Sequence, residues 1–362
     1  MTGRQRLQTM FAGKPTDRLS GTTLVDSNVL QALPGAMQGM SELDFYRHLD
    51  CDILLLNGWT TGIPFDSPAL VTDAGFAMSW KSVGDEHQSI IACPGGHILT
   101  ATWTGSHPTK YLVETLDDLR RYREFWEASR YEPRDDGASH VRLTEMIGDD
   151  GLYVRFWGPS TIPKLLENDM GTVQFYYMLN DYPAEVEALI EVIHRKELAA
   201  FEALADGPCD TITLCENTST YYISPDIYRR FNGPHVKDFV DIVKKRGKTA
   251  LLHMCGHVRD LLPDIKKTGA DGVHALTPPS TGNTPWELYL DVVGEDQIII
   301  GCLDPSIFEM LPLQQVGQAL DKLITPRLRK SRFVLACFAD GHRVPHERFM
   351  AVKRWIDENG IV

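Results

Sequence analysis

The sequence predicts an α/β protein built as a (β/α)8 TIM barrel with a β-hairpin insertion between its second and third strands. Three observations carry that reading. From about residue 150 onward, short β-rich apolar runs alternate with longer amphipathic stretches. Outside the insertion, eight strand candidates can be counted over the chain. No Gly-x-Gly-x-x-Gly turn follows an early strand, which removes the main support for an open dinucleotide-binding sheet.

The first two candidate strands are Leu19 to Val25 and Asp52 to Leu56, separated by a segment of helical potential around Glu42 to His48. Residues 75 to 104 then read as alternating strands (Phe76 to Lys81, Ser89 to Cys93, Ile98 to Trp103) around Pro94-Gly95-Gly96, the expected insertion. The remaining barrel strands are Tyr153 to Trp157, Thr211 to Cys215, Ala250 to Met254, Gly272 to Leu276, Ile298 to Cys302 and Phe333 to Cys337. Between them, Ser224-Pro225-Asp226 opens a helix that closes at Arg246-Gly247, a second helix runs from Val258 to about Lys267, and Thr284-Pro285-Trp286 reads as an N-cap followed by Pro at the first helical position. No fixed short repeat or linker divides the chain, so residues 1–362 are expected to form a single domain.

Composition narrows the class of partner. The 362 residues are 43% hydrophobic and 23% charged, the balance of an ordinary folded chain. Lys plus Arg number 36 against 49 Asp plus Glu, and a net charge of −13 has the wrong sign for phosphate backbones, so nucleic acid is not expected as a partner. No apolar run approaches the roughly 20 residues that span a bilayer, and no apolar stretch follows the basic residues near Met1, so neither a membrane nor a secretory route is expected and the cytoplasm is the default. Seven cysteines, an odd number spread along the chain, argue against a disulfide framework and leave thiols for metal binding or catalysis.

His253-Met254-Cys255 closes a predicted strand, and residues two apart on a strand share a face, so an imidazole and a thiol converge at the rim where barrels build their active sites. Cys337 ends the last predicted strand on the same rim. Together the three supply soft and borderline donors suited to Zn2+ with a fourth position open. The competing reading is that Cys255 and Cys337 are buried small hydrophobes and His253 a satisfied core histidine.

Four segments resemble the uroporphyrinogen decarboxylase superfamily: Gly3-Arg4-Gln5-Arg6-Leu7 through Lys14-Pro15-Thr16-Asp17-Arg18, Leu252-His253-Met254-Cys255-Gly256, Thr268-Gly269-Ala270-Asp271-Gly272, and Gly301-Cys302-Leu303-Asp304-Pro305. The resemblance implies a (β/α)8 barrel and one of two chemistries, porphyrinogen decarboxylation or zinc-dependent, corrinoid-linked methyl transfer. The decarboxylases carry an Arg-rich segment near the N-terminus, whereas Thr22 to Met37 here holds neither Arg nor Lys. The methyltransferase branch uses His-x-Cys and a distant Cys to bind zinc, and His253, Cys255 and Cys337 match that pattern. The resemblance therefore implies a methyltransferase moving a methyl group between methylcobalamin or another cobamide and a small thiol, methyl ether, amine or sulfide. In such an enzyme zinc would stabilise a thiolate or act as a Lewis acid on the leaving heteroatom.

Glu216, directly after Cys215, is a candidate fourth ligand or proton acceptor, or else an ion-paired structural carboxylate. His274 stands where the superfamily often has Glu and is a candidate substrate contact. Asp304 binds substrate or orders its loop. Trp59, Trp157, Tyr221 and Tyr222 are candidates for an apolar wall, or for packing. Cys302 is a rival zinc ligand set aside for want of a matching family position. The common cobalamin-carrier motif Asp-x-His-x-x-Gly is absent, since Asp85-Glu86-His87 and Asp340-Gly341-His342 lack its Gly. The methyl carrier is then expected to be a separate corrinoid protein, with the insertion as part of its docking surface. Two alternatives stand beside this reading, a metal-free decarboxylase-like lyase and a non-enzymatic docking barrel with structural zinc. The oligomeric state, a homodimer included, is open.

Overall fold

The computed structural model describes residues 1–57, 61–105, 107–339 and 343–361. Trp59 and the Asp340-Gly341-His342 tripeptide lie outside the described residues. Among the described residues, fourteen strands run in chain order: β1 (Ser20–Leu24), β2 (Ile53–Leu56), β3 (Ala69–Thr72), β4 (Ala77–Val83), β5 (Glu86–Ala92), β6 (Ile98–Thr104), β7 (His107–Lys110), β8 (Ser129–Glu132), β9 (Gly151–Trp157), β10 (Thr211–Cys215), β11 (Thr249–His253), β12 (Gly272–Leu276), β13 (Ile298–Cys302) and β14 (Arg332–Phe338).

Eight of them form one parallel sheet in the order β1-β14-β13-β12-β11-β10-β9-β2, the expected barrel. Its two end strands meet without a ladder. Asp52 N–H donates to Gly21 O at 2.8 Å and Leu54 N–H to Thr22 Oγ1 at 3.3 Å, and these bonds close the seam. The insertion is larger than expected: β4 to β7 make a four-stranded antiparallel sheet, and β3 pairs with β8 beneath it.

Strand parity divides the core in two. Leu54, Leu56, Val154, Leu251, Ile298, Ile300, Val334 and Ala336 fill the barrel interior, while their strand neighbours pack against the helices outside. Leu7 and Met10 enter the interior cluster from below, on the helix Gly3–Phe11. That helix starts at Thr2 in a capping box, Thr2 Oγ1 accepting from Gln5 N–H and Gln5 Oε1 from Thr2 N–H. Arg6 clamps it to the seam through buried Asp52 and through Asp17 at 2.6 Å.

The helix predicted from Ser224 to Arg246 forms with one irregular turn. Tyr228–Asn232 is wound as a π-turn in which Gly233 N–H reaches Tyr228 O, because Pro234 has no N–H to continue the regular ladder. A similar π-turn, Leu165–Asp169, follows β9. Among the described residues no helix is long and apolar enough to cross a membrane.

Candidate active site at the barrel mouth

The inward parity of each strand decides which side chains reach the C-terminal mouth. On β11, Leu251 is interior, so His253 is interior too, and by the same count β12 presents His274 and β9 presents Phe156. The two imidazoles meet, Nδ1 to Nδ1 at 2.7 Å. Phe156 stands edge-on to His253 with centroids 5.2 Å apart, and Phe338 stacks on His274 at 5.0 Å. Burial lowers the His253 pKa to about 4 and holds His274 well below its usual value, His253 adding to the effect. At neutral pH both rings are uncharged, and one Nδ1–H donates to the other Nδ1.

Beside this pair lies a polar cluster centred on Asn217. Its backbone takes a left-handed turn, φ 41°, just after β10. Asn217 Oδ1 accepts from Cys215 Sγ at 3.4 Å and Cys255 Sγ at 3.9 Å, and its Nδ2 donates to Glu167 Oε2 at 3.1 Å. Tyr222 donates its hydroxyl to Asn217 O. Burial raises the pKa of Glu167 above the ordinary carboxylate range, the Asn217 contact opposing it in part. Burial also pushes up the Cys215 thiol and the Tyr222 phenol, with Glu167 and Cys255 adding to each. Gly158 permits the close packing here, since a Cβ on it would lie 2.8 Å from Cys215 Cβ.

His253, Cys255, His274 and Tyr222 are therefore at or beside the mouth, but the side chains of four other expected residues are engaged elsewhere. Cys337 has the outward parity of Phe333 and Leu335. It is 4% exposed and packs in the outer layer in a crevice shared with Cys51, Leu49 and Phe349. The inward position next to it belongs to Phe338. Glu216 points away from the lumen into a closed pocket, where it accepts from Ser160, from Thr218 Oγ1 at 3.2 Å and from Asn232 Nδ2 at 3.3 Å. Its pKa rises to about 7 through burial. Trp157 also faces outward, against Phe201 and Tyr131 at 5.5 and 5.9 Å. Asp304, fully buried, accepts from Thr281 N–H at 2.6 Å and Ser306 N–H at 2.8 Å, and so orders its loop.

The zinc expected from the resemblance does not fit the residues that were to hold it, because Cys337 cannot turn into the lumen without reversing the parity of β14. Among the described residues, no three His, Cys, Asp or Glu side chains are grouped so as to hold a metal ion. Asn217 and Glu167 were missed in the sequence. Asn217 could have been found, since Cys215-x-Asn217 runs beside His253-x-Cys255, with Cys215 and His253 in register. Glu167 sits in a π-turn that no period in the sequence announces.

This geometry makes a prediction about the thiols. An aromatic disulfide reagent applied to the native chain should modify exposed Cys255 ahead of the other cysteines, which are buried or half-buried. Cys255→Ser should remove the fast phase and Cys337→Ser should leave it. A fast phase lost in Cys337→Ser would place that thiol at the mouth after all.

A parallel eight-stranded barrel with its polar groups gathered at the C-terminal rim defines a class of enzyme scaffold. The profile of the uroporphyrinogen decarboxylase (URO-D) family matches residues 145–353, more than half of the chain, and the chain belongs to that family. A stretch of 121 residues is 30% identical to the methylcobamide:CoM methyltransferase MtbA of Methanosarcina acetivorans, covering 33% of this chain and 34% of that one. The Methanosarcina mazei MtbA is 27% identical over 125 residues, with the same coverage. These matches span about a third of the relatives' length. The solved structure of a methyltransferase from Methanosarcina mazei superposes with a TM-score of 0.60 over 99% of both chains at 14% identity, a likeness of fold.

Proposed function

We propose that the chain is a methyltransferase that moves a methyl group between a corrinoid carried by a partner protein and a small thiol or methylated substrate. The observation that carries this reading is the similarity to two methylcobamide:CoM methyltransferases. The mouth is compatible with it. Among the described residues, its thiols, neutral imidazoles and buried carboxyl provide no cluster of cations for a polycarboxylate tetrapyrrole, which counts against the decarboxylase alternative.

When presented by its partner, the corrinoid supplies or takes the methyl group. The chain's own residues manage the substrate heteroatom. Glu167, its pKa raised by burial, is the carboxyl at the mouth placed to take the proton of a thiol or to give one to a leaving heteroatom. Asn217 fixes its orientation. The His253–His274 pair, held neutral between Phe156 and Phe338, gives the lumen a polar but uncharged floor.

Incubating the purified chain with methylcob(III)alamin and a panel of small thiols should convert the methylcobalamin spectrum to that of the demethylated corrinoid and yield the S-methylated product. Methoxylated aromatics with cob(I)alamin test the opposite direction. Absence of transfer in both directions, with free corrinoid and with a corrinoid protein, would overturn the reading.

A further inference from the structure

Between the insertion and the barrel top lies a cavity of about 440 Å³, within the usual range for a small-molecule site. Its walls are aromatic. Trp103 stacks with exposed Trp80 at the outer lip, ring centroids 6.1 Å apart, and Tyr122, Trp126 and Tyr131 line the depth. One cation enters this wall: Lys164 Nζ sits 5.9 Å from the Trp126 ring centroid, and it makes no ion pair within 4.0 Å among the described residues. The carboxyl in the lining, Asp169, accepts from the Tyr122 hydroxyl at 2.7 Å and also feels the Lys164 charge, which offsets part of the effect of its burial. The cavity also adjoins the mouth. Gly158, whose α-carbon packs on Cys215, is part of its lining, and so is Asn168, next to Glu167.

We propose that this cavity binds a planar aromatic acid, its ring among the Trp and Tyr rings and its anionic group against Lys164. Flat π-faces at the lip and in the depth favour a flat ring over an aliphatic one of equal size. An ammonium resting over an indole in a mostly apolar wall is a partner for a single anion. That this ligand is the methyl donor or acceptor of the adjoining mouth rests on the methyl-transfer reading above. That it binds does not.

Calorimetric titration of the full chain, without corrinoid, should show saturable binding of 1-naphthoate and benzoate, with cyclohexanecarboxylate weaker. Lys164→Met should weaken benzoate about tenfold, the loss of one charge-assisted contact, while leaving uncharged benzamide unchanged. Benzamide binding thereby reports that the variant's cavity is intact, and Trp103→Ala should weaken both ligands. Equal affinity for cyclohexanecarboxylate and benzoate, benzoate binding indifferent to Lys164→Met, or no binding at all would overturn the proposal. Because no corrinoid is present, a failed methyl-transfer assay leaves a positive titration standing, and the reverse holds equally.

Discussion

Glu167→Gln should lower methyl transfer roughly 10²-fold or more, the usual cost of losing a positioned proton-transfer group. The amide keeps the size of the side chain and an oxygen to accept from Asn217 Nδ2, so the polar cluster should survive the change. The pH profile separates this role from a structural one. In the thiol-methylating direction the carboxylate form is needed, so the rate rises with pH as Glu167 ionises above the usual carboxylate range. In the demethylating direction the acid form is needed and the rate falls. Glu167→Gln should flatten that limb in both directions. A variant that loses rate but keeps the limb would show that Glu167 only steadies Asn217.

The second large effect is on stability. Glu197 and Glu216 are fully buried, and burial lifts both from 4.5 to about 7. A folded-state pKa above the unfolded value means that the native state holds the proton more tightly. The associated stability is complete below about pH 4.5 and is lost as pH rises through about 7. Each group then costs roughly 3 kcal/mol once ionised. Urea denaturation at intervals from pH 5 to pH 8 should show the native chain losing stability across that range, and Glu197→Gln or Glu216→Gln should each remove part of the slope. Glu197 has the simpler environment: Thr161 Oγ1 donates to its Oε2 at 2.6 Å, and its Oε1 has no hydrogen-bond partner among the described residues. Slopes unchanged in both variants would mean that these carboxyls are ionised in the folded chain.

How far the sequence could be read depended on what each feature leaves in the pattern of residues. The barrel was legible because apolar runs such as Ile298 to Cys302 are bounded by turn residues and separated by amphipathic helices. The site was legible only where an element's end and its parity were both clear. His253 ends β11 and Cys255 lies two residues beyond it, and that strand end was legible to within one residue. Cys337 failed for a specific reason. In a barrel strand both faces are buried, so Phe333 to Phe338 shows no alternation to reveal that Val334, Ala336 and Phe338 point inward. The strand also runs one residue beyond its predicted end, so the last inward position is Phe338. Glu216 failed in a similar way, being one residue past the inward Cys215. Glu167 and Asn217 depend on a π-turn and a left-handed residue, local geometries set by packing and not by residue type alone.

The seam between β1 and β2 bears on how the barrel breathes. A ring hydrogen-bonded by ladders everywhere except at one joint concentrates its elastic give at that joint. The imidazole pair and the thiols stand on β10, β11 and β12, at the far side of the circumference, where every strand is tied to two neighbours. The side chains at the mouth therefore stand on the part of the ring held by continuous ladders, farthest from the joint.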